Sequence, residues 1–288
     1  MRLVSEERDV IATIARAALG AACVLALAAC SSDNGNAAPA PKNFAKRVAV
    51  APHVRLFIQC TGSGPVVLAD NGLAIPTPAW EGVRQKVQHL RFCAFDRAGV
   101  GRSDVRGCRC GTLGRNVEDI HALIRAAGLR RPVILVGHST GGLDSLLYAR
   151  RYPSDIDGLV LVDSPSERAP PPPGALADGQ TRLDFGSGLR TLRQSRDLGD
   201  LPLIVLSHGE RTFSTKAAER SWSEMQRQLA RDSSNTLRVI ALRSTHLIQD
   251  DQPDLVAAAI DEAVNAFSEG NRLRCTPALT ANNGRCVR

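Results

Sequence analysis

From about residue 48 onward, short apolar runs alternate with longer stretches in which apolar residues recur every three or four positions. Val48 to Gln59 alternates apolar and polar residues, as a hairpin with one wet face would. Pro65 to Ala69, Arg91 to Phe95, Val133 to Val136, Gly158 to Val162, Leu203 to Leu206 and Leu237 to Leu242 are runs of strand length. Val133-Ile134-Leu135-Val136 is apolar without a break, which suits a parallel strand buried on both faces. Helices are predicted over Pro78 to His89, Asn116 to Ala127, Lys216 to Arg231 and Pro253 to Phe267. In the second of these, Val117, Ile120, Leu123 and Ile124 share one face. Alternating strand and helix predict an α/β fold with a mostly parallel, doubly wound sheet. One stretch, 164–201, breaks the rhythm. It contains Ala169-Pro170-Pro171-Pro172-Pro173-Gly174 and few bulky apolar residues, so a small cap or lid is expected there.

The N-terminus has a different pattern. Ile11 to Ala29 is mostly apolar and alanine-rich and ends Leu27-Ala28-Ala29-Cys30, followed by the polar Ser31-Ser32-Asp33-Asn34-Gly35-Asn36. This resembles a bacterial lipoprotein signal with its lipobox, which implies cleavage before Cys30 and a lipid anchor on that residue. Glu6, Glu7 and Asp9 offset Arg2, Arg8 and Arg16, whereas a secretory leader begins positive; a start downstream of Met1, such as Val10, would restore that pattern. A retained membrane helix is the alternative, but the run is short for a span. The expected organisation is a signal peptide over 1–29, a Ser/Asn/Ala/Pro-rich tether over 30–45, one α/β domain over 46–270, and a C-terminal extension over 271–288. The implied location is the bacterial cell envelope, with the protein held to a membrane through the lipid.

Composition narrows the partners. The net charge of +7 comes from arginines scattered along the chain rather than gathered into a stripe with aromatics, so no nucleic-acid partner is expected. There are eight cysteines. Cys23 leaves with the signal and Cys30 takes the lipid, which leaves Cys60, Cys93, Cys108, Cys110, Cys275 and Cys286. An even number in an exported chain points to disulfides. The turn-rich span between Cys275 and Cys286 favours that pair, and the turn after Cys60 can bring it to Cys93. Cys108 and Cys110 remain for each other. The competing reading is that Cys60 and Cys93 are buried free thiols. Cys108-Arg109-Cys110 lacks metal-ligand spacing and has no histidine pair beside it, so no metal is expected.

The chemistry centres on Arg131 to Leu147. Here an apolar run leads into Gly137-His138-Ser139-Thr140-Gly141, and Leu143, Leu146 and Leu147 then recur at helical spacing. G-x-S-x-G between a strand and a helix is the pattern of a nucleophile elbow. A serine hydroxyl needs a base. Of six histidines, His208 and His246 follow late strands, and only His246 lies between the last strand and the last helix. Two carboxylates end strands upstream of it, Asp163 and Glu210.

With these residues in view, Asp96-Arg97-Ala98-Gly99-Val100-Gly101-Arg102-Ser103 resembles the D-R-x-G-x-G-x-S segment of the α/β-hydrolase superfamily. Asn71-Gly72 stands where that family usually has His-Gly, and the likeness extends over roughly Val48 to Phe267. It implies the α/β-hydrolase fold and a serine mechanism without cofactor or metal. Ser139 would attack an acyl carbon, His246 would act as base, and the N–H groups of Thr140 and Leu73 would form the oxyanion hole. The usual acid follows the seventh strand as G-x-x-D. Gly209-Glu210-Arg211-Thr212 breaks that pattern, so Asp163 after the sixth strand fits better and Glu210 is the alternative. The substrate implied is a small acyl compound, an ester or a relative of one. Peptidase, perhydrolase or lipase chemistry on the same fold, and a catalytically inactive binding lipoprotein, are the competing readings.

Overall fold

A computed structural model describes residues 43–170 and 174–287. The expectations for the signal peptide, for Cys30 and for most of the tether lie outside those residues. Among the described residues no helix is long and apolar enough to cross a membrane.

The main sheet has nine strands in the order β1-β2-β4-β3-β6-β7-β10-β11-β12. They are β1 (Phe44–Ala51), β2 (Val54–Thr61), β3 (Val66–Asp70), β4 (Arg91–Phe95), β6 (Val133–His138), β7 (Ile156–Val162), β10 (Leu203–His208), β11 (Thr236–Ala241) and β12 (Gly284–Val287). The six strands from β4 to β11 in that order run parallel; β1, β2 and β12 pair antiparallel at the two edges. The continuous apolar runs are the central strands. In β6 the strand period of two sends Val133 and Leu135 to one core and Ile134 and Val136 to the other.

Helices α2 (Leu113–Ala126) and α3 (Thr140–Arg151) cover the first face. Helices α1 (Glu81–Lys86) and α7 (Pro253–Ser268) cover the second. The other helices are α4 (Phe185–Gln194), α5 (Lys216–Leu229), α6 (Ile248–Asp251) and α8 (Pro277–Ala281). Helix α2 begins three residues before the expected Asn116. Thr112 caps it by accepting from the N–H of Arg115, which brings Leu113 into the buried stripe. The helix expected over Pro78 to His89 is a 3-10 turn at Thr77–Trp80 followed by α1.

The domain is also longer than expected at both ends. Phe44 already pairs with Cys60, and β12 pairs with β11, so the 271–288 segment completes the sheet instead of trailing from it. The 164–201 segment contains β8 (Leu176–Asp178), β9 (Thr181–Asp184) and α4. Strand β9 pairs with β5 (Cys110–Thr112) to make a second, three-stranded sheet. The cap is therefore fastened to the loop that holds Cys108 and Cys110. Disulfides join Cys60 to Cys93, Cys108 to Cys110 and Cys275 to Cys286. Cys60 and Cys93 are direct cross-strand partners on β2 and β4, closer neighbours than the sequence required.

Candidate active site

Strand β6 delivers Ser139 into a turn with φ 50° and ψ −120°, and α3 starts at the next residue. Left-handed backbone at a non-glycine residue costs about 1–3 kcal/mol, so the surroundings must hold it. The Ser139 N–H donates to Val162 O at 3.0 Å, and Ser164 Oγ donates to Ser139 O at 3.0 Å. The flanking glycines let strand and helix meet. A Cβ on Gly137 would lie 2.5 Å from Gly142 Cα, and one on Gly141 would lie 2.4 Å from Asn71 O.

Asp163 sits just past β7, also left-handed at φ 44°, with its N–H donating to Leu206 O at 2.8 Å. His246 lies between β11 and α6, in a loop held by Asp251, whose carboxylate accepts from the Thr245 N–H at 3.0 Å and from both nearby hydroxyls. The three side chains meet at the C-terminal ends of the parallel strands. The Ser139 hydroxyl donates to His246 Nε2 at 2.9 Å, and His246 Nδ1–H donates to Asp163 Oδ2 at 2.7 Å. Asp163 is fully buried, while His246 is 31% exposed, within reach of a small molecule. Burial alone would push the Asp163 carboxyl up. The hydrogen bonds from His208 and His246 outweigh it and hold the group at about 2. Glu210 stands apart from this cluster: its side chain is exposed, and its backbone N–H donates to Ser244 O.

The turn after β3 is built by the Asp96 segment. Asp96 accepts from the Thr77 N–H at 2.7 Å and the Arg102 N–H at 2.9 Å. Arg97 reaches back to the carbonyls of Asn71 and Gly72 and is paired with Asp70 at 2.7 Å and Asp178 at 2.9 Å, all of it buried. Asp178, on cap strand β8, also accepts from the Ala74 N–H at 2.6 Å. Arg97 thus fixes the backbone around Leu73 from the sheet side and Asp178 fixes it from the cap. Leu73 is half-buried there, and Thr140 is buried at the first position of α3.

Comparisons with known proteins agree with this topology. Residues 71–201 match the family described as alpha/beta hydrolase fold. The "Uncharacterized protein YqjL" of Bacillus subtilis (strain 168) is 28% identical over 211 residues, covering 69% of this chain and 83% of that protein. A thermophilic esterase from Thermogutta terrifontis superposes with a TM-score of 0.58 at 21% identity, covering 79% of this chain and 99% of that one. Est1E from Butyrivibrio proteoclasticus, solved with ferulic acid, gives a TM-score of 0.59 at 17% identity over 78% of this chain and 99% of that one. This is the α/β-hydrolase fold.

Within that fold, three side chains have a larger part than their sequence positions suggested. His138, the variable residue of the elbow, is buried and donates Nε2–H to His246 O at 2.9 Å, bracing the loop of the candidate base. Burial, helped by repulsion from His246, pushes its imidazole down to about 3, so it stays neutral. Trp222 Nε1–H donates to Asp163 Oδ1 at 2.9 Å. His208 also donates to Asp163, from its backbone N–H to Oδ1 at 3.1 Å and from Nδ1–H to Oδ2 at 2.8 Å. The position of His208 at the end of a late strand was the one sequence signal for it. Trp222 lies on α5 and gave none.

Proposed function

We propose that this chain is an exported, lipid-anchored serine hydrolase that cleaves an ester or related acyl substrate through Ser139, His246 and Asp163. The observation that carries the reading is the continuous hydrogen-bond relay from Ser139 Oγ through both ring nitrogens of His246 to Asp163, at 2.9 and 2.7 Å. With Nδ1–H committed to Asp163, the Nε2 lone pair faces the serine proton. As Oγ attacks the acyl carbon, His246 takes that proton, and Asp163 stabilises the imidazolium. Thr140 opens α3, so its N–H has no partner one turn back and is free to meet the oxyanion together with the N–H of Leu73. Each such donor is worth on the order of 3 kcal/mol. His246 then returns the proton to the leaving alcohol, and a water repeats the sequence to release the acid.

An apolar cavity of about 230 Å³ supports the acyl assignment. Thr140 and Leu143 border it on the elbow side, and Pro165, Leu176, Phe185 and Leu189 border it on the cap side. Drug-sized ligands occupy roughly 300–1,000 Å³, so a short acyl group fits this space better than a long one. One of the structural relatives above is described as an esterase, which favours the same class. The envelope location rests on the box ending at Cys30 and on the pairing of the six remaining cysteines.

A fluorophosphonate probe should label the wild type. Ser139→Ala and His246→Ala should take up none and lose ester turnover by on the order of 10³-fold or more, with far-UV CD unchanged. p-Nitrophenyl butyrate should be cleaved faster than the palmitate ester, and aminoacyl p-nitroanilides should be left intact. A wild type inert to the probe would identify a scaffold lipoprotein instead. Cys30→Ala should remove the protein from the membrane fraction, and unchanged partitioning would refute the anchor.

A further inference from the structure

His208 has carboxylates on both sides of its ring. Nδ1 meets Asp163 Oδ2 at 2.8 Å, and Nε2 meets Glu219 Oε2 at 2.9 Å. A carboxylate only accepts, so both nitrogens must donate, and an imidazole that donates from both nitrogens is an imidazolium. Glu219 is itself fixed: its other oxygen accepts from the backbone N–H groups of Thr212, at 2.6 Å, and Phe213. The His208 side chain is only 7% exposed, and Trp222 stacks beside it at 6.4 Å between ring centres. Neither nitrogen points at Ser139, so His208 is not a second base.

The acceptor oxygen on Asp163 is the unusual feature. Oδ2 takes both the His208 and the His246 Nδ1–H, while Oδ1 takes the His208 and Trp222 N–H groups. When His246 gains the serine proton, the same oxygen faces two cations. We propose that His208 is a positioning residue for the relay read above, held as an imidazolium between Asp163 and Glu219, and that the positive charge it brings to the shared Asp163 Oδ2 sets the acid limit of activity. This inference rests on the proposed serine mechanism. Burial works against the charge on His208, but the hydrogen bonds and charges of Asp163 and then Glu219 prevail and raise its proton affinity above the ordinary value. Glu219 is lowered in return: partial burial opposes this, but His208 and the two backbone donors outweigh it.

The other charged groups around His208 come from three elements and line a cavity of about 400 Å³ behind it: Glu210 and Arg211 after β10, Arg220 on α5, and Arg238 on β11. The arginines stay charged throughout the working range and contribute a constant field.

The test is the pH dependence of kcat/KM on a p-nitrophenyl ester. In His208→Asn the amide nitrogen replaces Nδ1 as a donor to Asp163 without the charge. Its acid limb, measured against its own plateau, should move to higher pH by about one unit or more. Glu219→Gln should move the limb in the same direction, because His208 then loses the partner that retains its second proton. The double variant should add nothing further. ¹⁵N NMR of the histidine rings should show His208 doubly protonated at pH 7. An acid limb that stays in place in His208→Asn, a uniform loss at all pH values, or a singly protonated His208 at pH 7 would each overturn the proposal. Failure of the serine mechanism looks different: the wild type then takes no phosphonate at Ser139 at any pH, while the ring NMR still reports the charge on His208.

Discussion

Asp163 accepts four hydrogen bonds, two at each oxygen, and its side chain is fully buried. Such a carboxylate does two jobs, and one substitution separates them. Asp163→Asn keeps the shape but presents an N–H₂ where His246 and His208 need an acceptor. His246 then loses the tautomer that leaves Nε2 free, and turnover should fall by about 10⁴-fold in steady-state assays. Glu210→Gln, exposed and off the relay, should stay within a few-fold of wild type; the reverse ranking would transfer the acid role to Glu210. The stability of Asp163→Asn follows from the same bonds. The folded-state value of about 2 lies below the ordinary 3.8, so the ionised carboxylate stabilises the fold fully above about pH 4. That contribution disappears as pH falls through 2. The gap in Tm between wild type and Asp163→Asn should therefore narrow between pH 4 and pH 2 in thermal melts.

The elbow is a strand–turn–helix unit whose geometry rests on missing side chains. In Gly137→Ala the new methyl would meet only backbone, with Gly142 Cα at 2.5 Å and Gly141 O at 2.6 Å, and backbone cannot rotate away. Overpacking of this kind costs about 1–3 kcal/mol, or roughly 3–10 °C of Tm in a domain of this size. The variant should also lose ester turnover, because relief of the clash must move Ser139. A melt and rate equal to wild type would contradict this account. That unit was legible in the sequence for a simple reason. Strands β3, β4, β6, β7 and β10 are buried on both faces, and unbroken apolar runs announce them. Ser139 and Asp163 could be nominated because each follows such a run, and His246 because it lies between the last predicted strand and the last predicted helix, although β11 is only half-buried and is interrupted by Arg238. Strands β5, β8 and β9 were not legible: they are three or four residues long and pair only with one another across the cap. Nor was the full company of Asp163. Trp222 and Glu219 come from the polar α5, where nothing local marks a residue that will meet a strand end from another part of the chain.

The sheet closes at its far edge through residues that looked like an appendage. Strand β12 covers the outer edge of β11, Leu279 on α8 is buried in the second core, and Cys286 is bonded to Cys275. The same segment steadies the approach to His246. Gln252 donates to Asn282 O at 2.8 Å and accepts from the Arg243 N–H at 2.8 Å, and the Leu242 N–H donates to Asn283 O at 3.0 Å. The disulfide and the strand therefore have separable effects. A bridge spanning 11 residues removes about 3 kcal/mol of loop-closure freedom from the unfolded chain. Cys275→Ser with Cys286→Ser should lower Tm by roughly 6–12 °C while leaving turnover at 25 °C within a few-fold, because the folded contacts of β12 survive. Truncation after Leu273 removes the contacts themselves, uncovering the edge of β11 and freeing residues 242–245. Turnover should then fall well beyond the double serine variant even at temperatures where both remain folded by far-UV CD. Equal activity in the two would mean that the His246 loop is held by Asp251 alone and that the ninth strand serves only to cover the sheet edge.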